Sequence, residues 1–222
     1  MTQQLDEGSA PRTRRRDKLG PDPTVRRRIL AAATTVLRAD GVSGLSIAAV
    51  LDRAGLSTRA FYRHFESKDA LVAEVFLEAA RIETRRLRRR MASAASEINA
   101  VAAWIDARLD LAFDPDVRSD LRRLSQEAQS QTFISPSSIQ PAFLEMLKPL
   151  VDALQSGVES GVFHDIDPVI GARFVHGVVW TGIDRQWANG DCDRPEVRAH
   201  ILRFCLGGLG VAADLIDHIC SG

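Results

Sequence analysis

Apolar residues recur at helical intervals along almost the whole chain from Val25 onward. Val25, Ile29, Ala33, Val36 and Leu37 share one face and predict a first helix. Asp22, Pro23 and Thr24 supply cap and first-turn chemistry at its start, and Gly41 sits where a left-handed C-terminal cap is expected. Ser46 caps a second, short helix with the face Ile47, Val50, Leu51 and Ala54, closed by a sharp turn at Gly55. Ser57 caps a third, in which Phe61 and Phe65 lie four apart and face inward. Thr58, Arg59, Tyr62 and Arg63 are thereby left pointing outward, a short polar and basic face suited to a groove. Ser67 caps a long fourth helix with the core positions Leu71, Val75, Phe76, Ala79 and Ile82, ending in the basic run from Arg85 to Arg90. Beyond it the pattern predicts helices at about 97–113, 116–130, 141–160, 168–189 and 195–219, with breaks at Pro115, a loop over 133–141, Gly161 and Gly190. No strand alternation competes, so the expectation is an all-α protein of about nine helices.

Charge divides this series of helices in two. Residues 1–90 hold 19 Lys/Arg against 11 Asp/Glu, a net +8, so the remaining residues hold 10 against 18, a net −8, and the 222-residue chain balances at zero. A basic part attracts phosphates and an acidic part repels them, which points to one end that touches nucleic acid and another that does not. Residues 1–23 lack apolar periodicity and read as a flexible arm with Arg12, Arg14, Arg15, Arg16 and Lys18 at its centre, either solvated or settling on DNA already held nearby. The Arg85–Arg90 run needs no ligand, because cations near a helix C-terminus are favoured by the macrodipole. Three cysteines without paired spacing, and a charged start in place of an apolar signal core, place the protein in a reducing cytoplasm. Ile201–Ala213 is apolar but too short to span a bilayer and contains Arg203, so it reads as a buried helix.

The stretch Gly55-Leu56-Ser57-Thr58-Arg59-Ala60-Phe61-Tyr62-Arg63-His64-Phe65-Glu66-Ser67-Lys68-Asp69-Ala70-Leu71 resembles the amino-terminal domain of the TetR (tetracycline repressor) family. The likeness extends back through Ala48, Gly41, Ala33, Ala32 and Ile29, covering about residues 24–75. It implies a homodimer in which a small domain of helices 1–3 is joined through helix 4 to an all-helical body that binds a small molecule. Helix 3 would be the recognition helix. Positions matching Ser46, Ser57, Tyr62, His64 and Lys68 commonly touch phosphates in the family, and those matching Thr58 and Arg59 commonly lie in the major groove. The residue types agree: hydroxyls, a phenol and an ammonium suit phosphates, and Arg can bond bidentately to guanine O6 and N7. Arg59 is a departure, since many members carry Gly or another small residue there, so their base contacts do not transfer. Ser46 and Ser57 also serve as plain helix caps, and Tyr62 also fits a helix edge.

The acidic half carries no signature of its own, and the resemblance extends to it only as architecture. Helices 168–189 and 195–219 are apolar on more than one face, and Gly171, Gly177, Gly182, Gly207, Gly208 and Gly210 would permit close approach at a four-helix dimer interface. Trp104, Phe113, Phe143, Met146, His176 and Trp180 are candidates to line a pocket for a largely apolar effector, though most aromatics at helical spacing are core, and a histidine such as His176 on an apolar helix is more often a hydrogen-bonded core residue than a ligand. His164, Asp165 and Asp167 in one turn are too commonplace to indicate a metal, and no cofactor is expected. There is no Gly-rich phosphate loop after a strand, no nucleophile elbow and no paired metal ligands, which argues against an enzyme. The expected division is an arm at 1–23, a helix-turn-helix domain at 24–68, and an effector-binding and dimerisation domain at 69–222. The expected function is a sequence-specific transcriptional regulator, a repressor released from double-stranded operator DNA by its effector. Ligand-dependent binding and activation stay open at this stage.

Overall fold

The computed structural model describes residues 22–117 and 119–221, so all but the last two residues of the basic arm lie outside the described residues. Ten α-helices and no strand are found among them. They are α1 (Pro23–Gly44), α2 (Ile47–Ala54), α3 (Thr58–Tyr62), α4 (Lys68–Met91), α5 (Glu97–Phe113), α6 (Ser119–Ile134), α7 (Pro136–Glu159), α8 (Pro168–Asn189), α9 (Arg194–Gly208) and α10 (Ala213–Ser221).

The expected caps close the first helices. Asp22 accepts from Thr24 N, Ser46 from Ala49 N, Ser57 from Ala60 N and Ser67 from Ala70 N, each satisfying an amide that the helix leaves unpaired. Gly55 takes the left-handed conformation at the end of α2, with φ +61° and ψ +45°. Gly41 has φ +70°, but the helical trace resumes to Gly44 instead of stopping.

Two expectations about boundaries and one about burial are corrected. The break over 133–141 shrinks to Ser135, because Pro136 opens α7 and Pro141 lies inside it. Pro141 sits early enough that its missing N–H and its ring disturb only the first turns. The helix expected over 195–219 is two helices, giving ten in place of nine. Gly210, at φ +82°, forms a Schellman stop in which Val211 N donates to Leu206 O and Gly210 N to Gly207 O. Ile82, expected in the core, is 59% exposed, because the buried stripe of α4 turns through Glu83, Thr84 and Leu87.

Two cores result. One joins α1–α3 to the first half of α4 through Ile29, Leu37, Val50, Phe61, Phe65, Leu71 and Phe76, and it also takes in Leu124 of α6 and Ile139 and Ala142 of α7. The other fills the body between α5, α7, α8, α9 and α10, around Trp104, Leu109, Leu150, Ile183 and Leu202. The longest helix contact is α4 against α7, with Thr84 Oγ1 donating to Glu145 O at 2.8 Å across it.

Candidate nucleic-acid interface and effector cavity

The edge formed by α2 and α3 is held from behind. Phe61 is fully buried and stacks at 5.7 Å on Phe65, while Arg26 lies 5.3 Å over the Phe65 ring. Arg28 Nη2 donates to Ala54 O at 2.6 Å and fixes the end of α2 to α1 just before the Gly55 turn. With Phe61 anchored, the neighbouring positions must face solvent. Ser57, Thr58, Arg59, Tyr62 and Arg63 are all exposed, and Tyr62 is 59% exposed although its ring meets Phe61 edge-on at 5.2 Å. Ser46 is exposed at the start of α2, and His64 and Lys68 are half-buried at the junction with α4. All eight candidate DNA-contacting residues therefore belong to the start of α2, to α3 with the turn after it, or to the first residue of α4. The two cap hydrogen bonds use the Ser46 and Ser57 oxygens as acceptors and leave each O–H free to donate outward. His64 Nδ1 is buried without a partner.

The basic run closing α4 is engaged within the protein. Arg86 pairs with Glu83, Arg88 with Asp152 and Arg90 with Asp110, and Asp110 also accepts from Arg194 at 2.9 Å.

A cavity of about 90 Å³ lies where the two cores meet. Its walls come from α4 (Phe76, Ala79, Ala80), α6 (Leu124, Ala128, Gln129), α7 (Ile139, Ala142, Phe143, Met146) and α8 (His176, Trp180). Of the residues named as pocket candidates, Phe143, Met146, His176 and Trp180 border this cavity. Trp104 and Phe113 do not: Trp104 is fully buried behind His176, ring centroids 6.3 Å apart, and Phe113 packs against the body core at the far end of α5. Glu83 and Arg108, absent from the expected list, are the charged residues of the lining.

Their environment is unusual for charges. Glu83 Oε1 accepts from Arg86 Nη2 at 2.9 Å and from Arg108 Nη1 at 3.0 Å, and Oε2 accepts from Arg86 Nε at 2.9 Å. Burial by itself would raise the Glu83 carboxyl, but the hydrogen bonds and charges of Arg86 and Arg108 outweigh it and hold the group below the usual range. Burial draws the Arg108 guanidinium downward against the pull of Glu83, yet a guanidinium stays protonated in proteins. The same burial, helped by the charge of Arg108, pulls His176 down to about 3, so its imidazole is neutral at pH 7.

The outer face of α8 and α9 is apolar and uncovered. Phe174 and Phe204 are 71% and 70% exposed, and with Ile170 and Val178 they border a groove of about 750 Å³. The glycines expected there divide. Gly177, Gly207 and Gly208 open onto free space, whereas Gly171 faces Leu154, Ile166 and Leu209, and Gly182 is pressed on Val197 and Ile201, so those two serve packing within the chain. Among the described residues, no cluster of His, Cys, Asp or Glu could hold a metal ion, and no helix is long and apolar enough to cross a membrane.

Comparison with known proteins agrees with this arrangement. Residues 29–75 match the family described as bacterial regulatory proteins, tetR family. The chain is 24% identical over 187 residues to the HTH-type transcriptional repressor KstR2 of Mycolicibacterium smegmatis, covering 82% of this chain and 88% of that one. It is 28% identical over 181 residues to an uncharacterized HTH-type transcriptional regulator of Mycobacterium tuberculosis, covering 74% and 84%. The fold is that of the transcriptional regulator FadR from Bacillus subtilis, solved in complex with stearoyl-CoA, at TM-score 0.63, 19% identity and coverage of 82% and 98%. It is equally that of RolR, solved with resorcinol, at TM-score 0.64, 20% identity and coverage of 89% and 93%. These relatives are regulators, not enzymes. From its helix-turn-helix and the match to it, the segment 29–75 is a DNA-binding domain of the kind described as bacterial regulatory proteins, tetR family, and the rest of the chain is similar to transcriptional regulators that carry it.

Proposed function

We propose that the protein is a dimeric repressor whose hold on its operator is released when a small molecule occupies the cavity between α4, α6 and α7. The observation that carries this reading is the size and place of that cavity. At about 90 Å³ it is far below the roughly 300 Å³ or more of an ordinary ligand pocket. A ligand of ordinary size therefore binds only a form with displaced walls, which is the differential affinity that switching requires. All three of those walls contribute side chains to the core of the helix-turn-helix end, so displacing them moves the head. Taking 99% of the molecules from one form to the other requires a preference of about 10⁴-fold. The stearoyl-CoA and resorcinol held by FadR and RolR, which share the fold, support a small-molecule effector.

In this reading residues 24–68 form the DNA-binding domain and 69–222 the effector-binding and dimerisation domain. A second copy covers the apolar face of α8 and α9 about Phe174 and Phe204, with Gly177, Gly207 and Gly208 permitting close approach. The dimer sets two copies of α3 about 34 Å apart for successive major grooves. Ser46, Ser57, Tyr62, His64 and Lys68 hold phosphates, and Thr58, Arg59 and Arg63 face the bases.

Selection of bound duplexes from a genomic library identifies the operator, and two variants then separate the roles. Arg59→Ala costs about 1–3 kcal/mol on the selected site and relaxes its sequence preference. Lys68→Ala weakens all duplexes alike and lowers the salt slope by about 1. A selection that returns no preferred sequence, or an Arg59→Ala protein with unchanged preference, would refute the assignment.

A further inference from the structure

The cavity is not uniformly apolar: Glu83, Arg108 and His176 line it together with Ser125, Gln129 and Thr132 of α6. Glu83 has both oxygens occupied by Arg86 and Arg108, so its acceptors are largely spent inside the protein. Arg108, with its side chain only 4% exposed, still has Nε buried without a partner. His176, 7% exposed, lines the same cavity with Nδ1 buried and unpartnered. Arg86 also lies 3.9 Å from Asp110 and is shared with that outer carboxylate, while Arg108 pairs with Glu83. Guanidinium N–H groups only donate, and leaving a buried donor unmade costs more than an exposed one. A ligand atom beside Arg108 Nε must therefore be an acceptor, and an anionic one makes the stronger, charge-assisted hydrogen bond. Around this spot the surroundings are aromatic: Phe143 meets His176 edge-on at 5.0 Å, and Trp180 lies 6.0 Å from it.

On the reading that this cavity holds the effector, we propose that the effector is a compact carboxylic acid, its carboxylate accepting from Arg108 Nε and from His176 Nδ1 and its apolar part running toward α6. The imidazole is neutral and has one proton to place, so beside a carboxylate it takes the tautomer that donates from Nδ1. The apolar remainder lies against Ala128, Leu124 and Ala142, whose side chains tie α6 and α7 to the head. The acid is thus anchored on the rigid α5–α8 side and pushes on the side that communicates with DNA.

The test uses the full chain and matched probes: benzoate with benzamide and phenol, and octanoate with octanamide. Quenching of the intrinsic fluorescence reads occupancy, because Trp104 and Trp180 both stand within about one ring of His176. At least one acid is expected to bind at least about tenfold tighter than its own amide. Arg108→Gln should bring that acid and its amide to near equality, with circular dichroism checking that the variant keeps its helices. His176→Gln, which retains an amide donor, should lose only part of the preference. The acid–amide comparison on the unaltered chain decides the matter even if Arg108→Gln fails to fold. Equal binding of each acid and amide, tighter binding of phenol than benzoate, or no saturable response from either acid overturns the proposal. Tight acid binding that leaves the selected operator bound would instead uphold the acid site and refute effector release.

Discussion

Replacing His176 with Gln should make the protein less sensitive to mild acid, and the size of the effect follows from its surroundings. The imidazole is enclosed by Trp104, Phe143 and Trp180 and lies within the field of the Arg108 guanidinium, which donates to Glu83. Burial first, and the charge of Arg108 second, lower its pKa from the ordinary 6.5 to about 3. The unfolded chain takes up this proton below pH 6.5, whereas the folded protein refuses it until about pH 3. Stability is therefore fully retained above 6.5 and falls as the pH drops toward 3, by ~1.4 kcal/mol per pH unit. From 6.5 down to 4.5 the loss from this single group is about 2 kcal/mol, since the unfolded imidazole is already half protonated at 6.5. Glu83, held below its ordinary 4.5 by its arginines, adds slope only at the low end of the window, where the unfolded chain begins to take up that proton, and it is common to both proteins. Urea unfolding followed by circular dichroism, at fixed protein concentration and at several pH values across the window, measures the slope for both proteins. The other four histidines are common to both and cancel in the difference. Parallel pH profiles would refute the reasoning, since they would mean that His176 titrates in the folded protein as it does in the unfolded one.

Two further outcomes are expected. Phe174→Glu places a charge on the exposed face of α8, and because a two-fold interface counts each change twice, the loss of ~1.5–3 kcal/mol per phenylalanine doubles to ~3–6 kcal/mol. Sedimentation should show monomers where the parent dimerises, and an unchanged dimer would move the interface elsewhere. Gly55→Ala forces a side chain into the left-handed conformation at the end of α2 without a clash, its nearest neighbour being Arg28 Nη2 at 3.6 Å. A loss of ~1–2 kcal/mol by thermal or urea unfolding is expected, and no loss would mean that the turn relaxes out of that conformation.

The head was legible in the sequence because its signals are local. Serine caps at Ser46, Ser57 and Ser67, the Gly55 turn and the Phe61–Phe65 pair each act within a few residues, so spacing alone tells which side of α3 faces outward. The cavity was legible only in part, since its shape depends on helices far apart in the chain. Phe143, Met146, His176 and Trp180 stood out as bulky residues, but the space between them exists because Ala79, Ala80, Ala128 and Ala142 are small, and alanine on a helix carries no such signal. Trp104 and Phe113 were bulky too and turned out to be packing. Arg108 offered a clue that periodicity does not weigh, an arginine within the buried turn from Ala107 to Ala112, where a charge persists only with a partner. That partner, Glu83, is 25 residues away and hidden in a helix end read as solvated. Pro141 and Gly210 misled for a related reason: proline is a helix start or an early-turn passenger, and glycine a close-approach site or a stop, according to the turn it falls in.

Leu124, Ile139 and Ala142 are encoded in the body but buried with the head. Anyone wishing to graft this reading head onto another regulator, or to lend it a new one, would find that a cut near residue 68 leaves behind part of what the head rests on. The transplanted piece would carry its DNA-facing residues intact and yet lose Leu71, Val75 and Phe76 of α4 along with Leu124, Ile139 and Ala142, so its grip would depend on how well the recipient's own fourth, sixth and seventh helices happen to fit. Exchange of operator preference between such proteins is in this sense a problem of matching surfaces inside the molecule before it is one of matching bases outside it.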